Sequence, residues 1–227
     1  MKSKTPKTKR RFSQMLCVMS IISLTYILLF SGFYIHYYDM DYYNNQFKDN
    51  GAAEKLGEEN ASFILKDLLT YLNIEEAEER VDHLSYFSEK EKSHLADVKL
   101  LLTVIFSIYY LAVILLVFSL IWFFTREKKW KREWAKMLLW AGSLTTGIII
   151  ILLLGALLNF DFTFQLFHKI FFPQGNFAFP ADSLLKTLFP DSFFTNFALK
   201  IITTTLSVSV LAAVVGFAWK KQLRIKN

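Results

Sequence analysis

One cysteine is all the chain has, so no disulfide can close within it. That residue, Cys17, lies inside an apolar run that continues for about 18 residues beyond it, and "QMLC" lacks the small residue expected just before a lipidated cysteine. Cys17 therefore reads as a packing residue. A P-loop, G-x-G-x-x-G, G-x-S-x-G and paired C-x-x-C are all missing, as is any internal repeat, so the most familiar enzyme signatures are absent. Charge is missing too, from every long apolar run. A charged group in a span is what marks a transport path, so its absence argues against a carrier or channel.

What is present is apolar length. The 227 residues are 53% hydrophobic with a mean hydropathy of +0.30, too apolar for an ordinary soluble domain. Four stretches can each cross a hydrocarbon core about 30 Å thick, a task for about 20 apolar residues. They are Met15 to Ile35, Leu100 to Phe124, Met137 to Leu158 and Ile201 to Trp219. The first follows a basic "MKSKTPKTKRR", as a secretory signal does, but its apolar run is too long and it lacks an A-x-A cleavage site, so it is expected to remain as a span. The expected fold is an all-α integral membrane protein of four transmembrane helices with an extracytoplasmic cap.

Orientation follows from Lys and Arg. Of 26 such residues, 6 lie in residues 1–14, 6 in 125–136 and 4 in 220–227, which the positive-inside rule assigns to the cytoplasm. The connections 36–99 and 159–200 then lie outside, and they hold 18 of the 20 acidic residues. A net charge of +6 is thus a topology signal and an attraction for anionic lipid heads, with no face for nucleic acid.

Chemistry is expected in the outer segments. "YYNNQFKDNGAAEKLGEEN", Tyr42 to Asn60, reads as a solvated loop because of its Asn-Gly turn and scattered acids. In "ASFILKDLLTYLN" the residues Phe63, Ile64, Leu65, Leu68, Leu69 and Leu72 recur at helical spacing, which predicts a short amphipathic helix from about Ala61 to Asn73, lying on the bilayer or covering a site. Ser88 and Glu91 then form a capping box, and nothing breaks the helix they start before Phe124. His94 sits on this helix six residues before Leu100, or about 9 Å, at the headgroup level. Asp97, three residues on, shares its face and is placed to accept the ring N–H.

The second outer segment holds another histidine at the same depth. In "QLFHKIFF" the apolar Leu166, Phe167, Ile170 and Phe171 fall on one face and Gln165, His168 and Lys169 on another, as in a helix lying flat at the interface. Read singly, each histidine is a solvated residue near lipid headgroups. Asn176 reads as a turn residue beside Gly175 or a substrate contact, and Asp182 as the N-cap of the following helix or a substrate contact. His94, Asp97 and His168 also match a two-His, one-carboxylate metal set, although no H-E-x-x-H or Cys ligand accompanies them. A non-enzymatic membrane accessory whose outer segments bind another protein is the third reading.

"SHLADVKLL" and "LFHKIFFPQGNFAFPADSLLKTLFP" resemble the two motif blocks of a bacterial four-helix membrane family that includes the lipoprotein intramolecular transacylases of Gram-positive bacteria. The resemblance extends over nearly the whole chain in topology and segment length. In that family each block supplies a functional histidine, and these match His94 and His168. The family more often has Trp where this chain has Phe177, which bears on a substrate contact and leaves the chemistry untouched. His36 and His83 match neither block and read as structural or solvated.

The resemblance implies an enzyme acting on diacylglyceryl-modified lipoproteins at the outer leaflet, amid membrane lipid. It would move the sn-2 acyl chain to the α-amine of the same cysteine and give lyso-form lipoprotein. His94 is expected as base, with Asp97 supporting it, and His168 as acid or oxyanion partner; Asn176 and Asp182 are candidates for substrate binding. No cofactor and no metal are implied, and the oligomeric state is not legible.

Overall fold

The computed structural model describes residues 7–73 and 84–225, in which helices are joined by short turns and loops. In chain order these are α1 (Lys7–His36), α2 (Met40–Asp49), α3 (Ala52–Leu56), α4 (Glu58–Leu72), α5 (Glu89–Arg126), α6 (Trp130–Leu158), α7 (Phe160–Phe171), α8 (Leu184–Leu188) and α9 (Asp191–Ile225). Four of them, α1, α5, α6 and α9, are long and apolar enough to cross a membrane, and each contains one of the four spans expected from the sequence. With 38 residues α5 is about 57 Å long at 1.5 Å per residue, far more than a bilayer core needs. Its first turns, Glu89 to Lys99, precede the apolar stretch and are free to carry polar chemistry. The expected capping box starts it: the Glu91 carboxylate accepts the Ser88 backbone N–H at 2.8 Å, and the Ser88 hydroxyl accepts the Glu91 N–H at 3.4 Å.

The chain forms two compact units. One comprises residues 1–34, 107–153 and 201–227, and it is packed the opposite way from a soluble domain. Val18, Ile22, Ile114, Ile151 and Leu211 point outward, while Ser20, Thr145, Thr205 and Ser209 are wholly buried. Such a pattern suits a lipid solvent, where apolar side chains gain nothing by hiding and small residues let backbones approach. Accordingly the Thr146 and Ser209 hydroxyls bond at 3.0 Å, and the Thr145 hydroxyl donates to the Thr25 carbonyl at 3.4 Å. Cys17 packs beside Leu16, Phe123 and Met137, in agreement with its reading as a packing residue.

The other unit comprises residues 35–106 and 154–200, and holds both connecting segments. Here one expectation is corrected: Tyr42 to Asn60 is not a solvated loop but most of α2, all of α3 and the start of α4. The reason is aromatic burial at helical spacing. Tyr43 stacks on Phe193 at 5.6 Å and Phe47 meets Phe189 edge-on at 5.8 Å, both side chains being buried. Asp39 caps α2 by accepting the Tyr42 N–H at 3.1 Å and is bonded by the Lys200 ammonium at 2.7 Å; His36 approaches the same carboxylate at 3.8 Å. Gly57, with φ +84° and ψ 137°, takes a backbone shape open to glycine alone and separates α3 from α4. The amphipathic helix begins three residues earlier than expected and buries Ala61, Ile64, Leu65, Leu68, Leu69 and Leu72, whereas Phe63 faces out.

Candidate active site

Two segments of this second unit converge on the histidines: the first turns of α5, and α7 with the loop that follows it. Asn159 starts α7 by accepting the Phe162 N–H at 2.9 Å. On this helix Phe162, Leu166, Phe167, Ile170 and Phe171 are exposed and His168 is buried. His168 alone turns inward: Gln165 and Lys169, expected on its face, are exposed like the apolar residues. After α7 the chain reverses at Gly175, whose φ of +74° is left-handed, with the Gly175 N–H donating to the Phe172 carbonyl at 3.1 Å. This reversal lays the loop along α5.

Four side chains of α5 hold the loop there. Lys90 donates to the Ala178 carbonyl. Asn176 donates its amide to the Ser93 hydroxyl at 3.2 Å and to the Asp97 carboxylate at 2.6 Å, and the Gln174 amide donates to the same carboxylate oxygen. Glu91, only 3% exposed, uses its second oxygen to accept the Leu185 N–H at 2.8 Å, so one carboxylate starts both α5 and α8. Lys90, Ser93 and Asp97 are neighbours at three and four residues along the helix, and His94 lies among them. Replacing Glu91 with alanine is expected to strand the Ser88 and Leu185 N–H groups. Hydrogen bonds to a charged acceptor contribute about 1.5–3 kcal/mol each, so thermal unfolding of the purified variant should drop well below wild type. Glu91→Gln, which keeps one acceptor oxygen, should fall between them, and an unchanged melting temperature in Glu91→Ala would show that the clasp contributes nothing.

His94 and His168 face each other inside an aromatic enclosure. Their ring centroids are 6.3 Å apart and their planes differ by 26°, with exposures of 9% and 8%. Phe172 lies 4.8 Å from the His94 ring and Phe179 5.4 Å; Phe164 lies 4.1 Å from His168 and Phe177 5.0 Å. His168 Nδ1 is 2.8 Å from the Phe164 carbonyl, and since a carbonyl only accepts, that nitrogen carries the proton and Nε2 is left to work. Burial pushes the His94 ring below the ordinary histidine range; the nearby Asn176 side chain opposes this, the neighbouring His168 adds to it, and the Asp97 charge opposes it. For His168 burial again lowers first, the Phe164 carbonyl opposes and the Lys186 charge lowers further. Burial thus shifts both rings toward the neutral form.

The structure brings together four of the five expected site residues, His94, His168, Asp97 and Asn176. Asp182 is exposed and away from these bonds, and it is Ser183 that caps α8 by accepting the Lys186 N–H at 3.3 Å. The direct Asp97–His94 bond is also corrected: the carboxylate is engaged by Asn176 and Gln174 instead. Gln174 and Ser93 are contributors the sequence reading passed over, although Ser93 stands at i, i+4 from Asp97. Among the described residues no three His, Cys, Asp or Glu side chains are grouped closely enough to hold a metal ion. His83 lies outside the described residues.

Comparison with known proteins agrees with the four-span helical fold. No curated protein sequence matches the chain. The solved structure of the membrane-integral lipoprotein intramolecular transacylase Lit from Bacillus cereus superimposes with a TM-score of 0.82 at 20% identity, over 95% of this chain and 99% of that one. Two variants of the same enzyme, with a histidine replaced by arginine or by alanine, each give a TM-score of 0.77 at 19% identity, over 97% and 96% of this chain and 97% and 98% of theirs. These likenesses establish a shared fold, that of a multi-pass membrane protein. The family itself is shown by a sequence model, described as "Lipoprotein intramolecular transacylase Lit", which matches residues 13–194, and the chain belongs to that family.

Proposed function

We propose that this protein moves the sn-2 acyl chain of a lipoprotein's diacylglyceryl-cysteine to the α-amine of the same cysteine, giving the lyso-form. The observation that carries the reading is the buried His94–His168 pair, near-parallel at 6.3 Å within an aromatic enclosure. Ester aminolysis needs a neutral amine, whose ordinary pKa is about 7.7–8.0, a base for its proton and an acid for the departing glycerol oxygen. The amine nitrogen attacks the ester carbonyl while His94 takes the N–H proton. The proton passes from His94 to the free Nε2 of His168, and as the tetrahedral intermediate collapses and its carbon–oxygen bond breaks, His168 gives that proton to the departing glycerol oxygen, so both rings end as they began and nothing is consumed. Nucleophile and ester belong to one molecule, and the protein has only to orient them, exclude water and steady the oxyanion. Neither an acyl-enzyme nor a cofactor enters this scheme.

Purified protein given a diacylglyceryl lipopeptide, without phospholipid, cofactor or metal, is expected to yield an isomer of equal mass whose N-terminus no longer reacts with amine reagents. Fragmentation should find one chain on nitrogen. A three-chain product that depends on added phospholipid would mean an external donor, loss of activity in chelator would favour a metal site, and no product at all from folded protein would favour an accessory role.

The Lys and Arg asymmetry supports cytoplasmic termini and a site at the outer leaflet. In a Cys17→Ala background, Glu54→Cys, on an exposed position, should react with an impermeant thiol reagent on intact cells and Lys131→Cys should not. Labelling at Lys131 alone would invert the orientation.

A further inference from the structure

Asn176 has its two side-chain ends in different surroundings. Its amide nitrogen is bonded to Asp97 and Ser93, while its oxygen is buried without a formed hydrogen bond. His94 presents a matching vacancy, a buried Nδ1 with no formed bond, although Asn176 lies near enough to act on the ring as a hydrogen-bonding group. Both atoms are buried and unpaired, which is costly, and the amide that carries one of them is bonded to Ser93 and Asp97, one residue before His94 and three after it on α5. A carboxylate can only accept, so the amide must turn its NH₂ toward Asp97 and its oxygen away; the orientation of this side chain is settled by chemistry.

We infer that Asn176 is the positioning residue of His94, its side-chain oxygen taking the Nδ1–H of the ring and so holding the lone pair on Nε2, with Asp97 and Ser93 locking the amide from behind. A small tightening when substrate fills the enclosure completes the bond, as catalytic hydrogen bonds commonly do on binding. The inference rests on the acyl-transfer reading only in treating His94 as the base. It replaces two separate roles, a substrate contact for Asn176 and a direct carboxylate partner for His94, with one line of bonds from Asp97 through Asn176 to the ring. Alignment by such a partner fixes the tautomer and the ring angle together. His168 is treated alike, its Nδ1 being held by the Phe164 carbonyl, so both rings would offer Nε2 to the substrate.

The test is the tautomer of His94, read by nitrogen NMR on full-length protein with ring-labelled histidine, assigned by loss of the signal in His94→Gln. At a pH about two units above the ordinary histidine value of about 6.5, wild type should show a protonated Nδ1 and an unprotonated Nε2. Asn176→Leu, similar in size but unable to accept, should give a mixture of tautomers. Its kcat should fall about 10- to 100-fold with KM within about twofold of wild type, as for loss of an outer partner that aligns a ligand or base. An unprotonated Nδ1 in wild type, an unchanged tautomer in Asn176→Leu, or a raised KM with normal kcat would overturn the inference. If Asn176→Leu fails to fold, Asp97→Asn decides: it preserves shape but leaves the Asn176 amide free to turn, so a mixture supports the relay and an unmixed signal refutes it. The expected tautomer in a protein that makes no isomer would sink the acyl-transfer reading and leave the relay standing.

Discussion

His94→Ala is expected to abolish the proposed acyl transfer while the protein still inserts and folds, with turnover down by about 10²- to 10⁴-fold, the contribution expected of a general base. His168→Ala should do the same. The sequence alone would put both rings at a wet helix surface, where truncation is harmless to folding, but both are buried among phenylalanines, and alanine leaves a hole that costs some stability. Each alanine variant is therefore paired with glutamine, which fills more of the space and lacks a titratable ring. The expected result is four inactive proteins, of which the glutamine pair melts closer to wild type. His36→Ala, at the end of α1, should turn over nearly normally. Wild-type turnover in His94→Gln, measured on the same lipopeptide, would end the two-histidine scheme.

Local rules carried a good part of this architecture and failed where distant residues intervene. Ser88 and Glu91 are three residues apart, so their capping box is readable from the sequence, and the box is formed. The second use of Glu91, as acceptor for Leu185, depends on a residue 94 positions away and leaves no local sign. Asp97 and His94 share a helix face, which made a direct bond the natural expectation, yet Asn176 and Gln174 arrive from the other segment and take the carboxylate. Tyr42 to Asn60 went wrong for a related reason: its polar composition concealed Tyr43 and Phe47, which become core residues only once Phe189 and Phe193 are beside them. Composition reports solvent contact averaged over a segment, whereas helices such as α2 are stabilised by a few side chains on one face.

The enclosure also accounts for a chain without a nucleophile motif. An enzyme that must store an acyl group needs a serine or cysteine aimed by a base, but a substrate that carries both amine and ester asks only for alignment. Phe164, Phe172, Phe177 and Phe179 surround the histidines, and in the proposed reaction they would keep water from the ester and leave the amine as the available attacker. The Phe164 carbonyl holds the His168 ring, and on the inference above the Asn176 amide, bonded to Asp97, does the same for His94.

The second large effect is expected where α6 and α9 touch. A Cβ on Gly142 would lie 2.5 Å from the Ala213 nitrogen and 2.6 Å from the Ser209 carbonyl oxygen, both backbone atoms that no rotamer change can move. Gly216 makes the reciprocal approach to Leu139 and Ala135, so the two helices meet through glycine on both sides. Lipid tails are as apolar as leucine, and without a hydrophobic drive between helices it is this closeness, with the Thr146–Ser209 hydroxyl pair, that holds them together. Gly142→Leu must push the backbones apart. Overpacking costs about 1–3 kcal/mol when side chains can yield, and more is expected here because they are not what is struck. The variant should lose most of its folded, monodisperse fraction in detergent, or melt about 10 °C or more below wild type, at about 2–4 °C per kcal/mol for a chain of this size. Gly147 provides the control on the same helix, for a Cβ there meets nothing within 4 Å, and Gly147→Leu should elute and melt as wild type does. Equal behaviour of the two leucine variants would show that the close approach contributes nothing to the bundle.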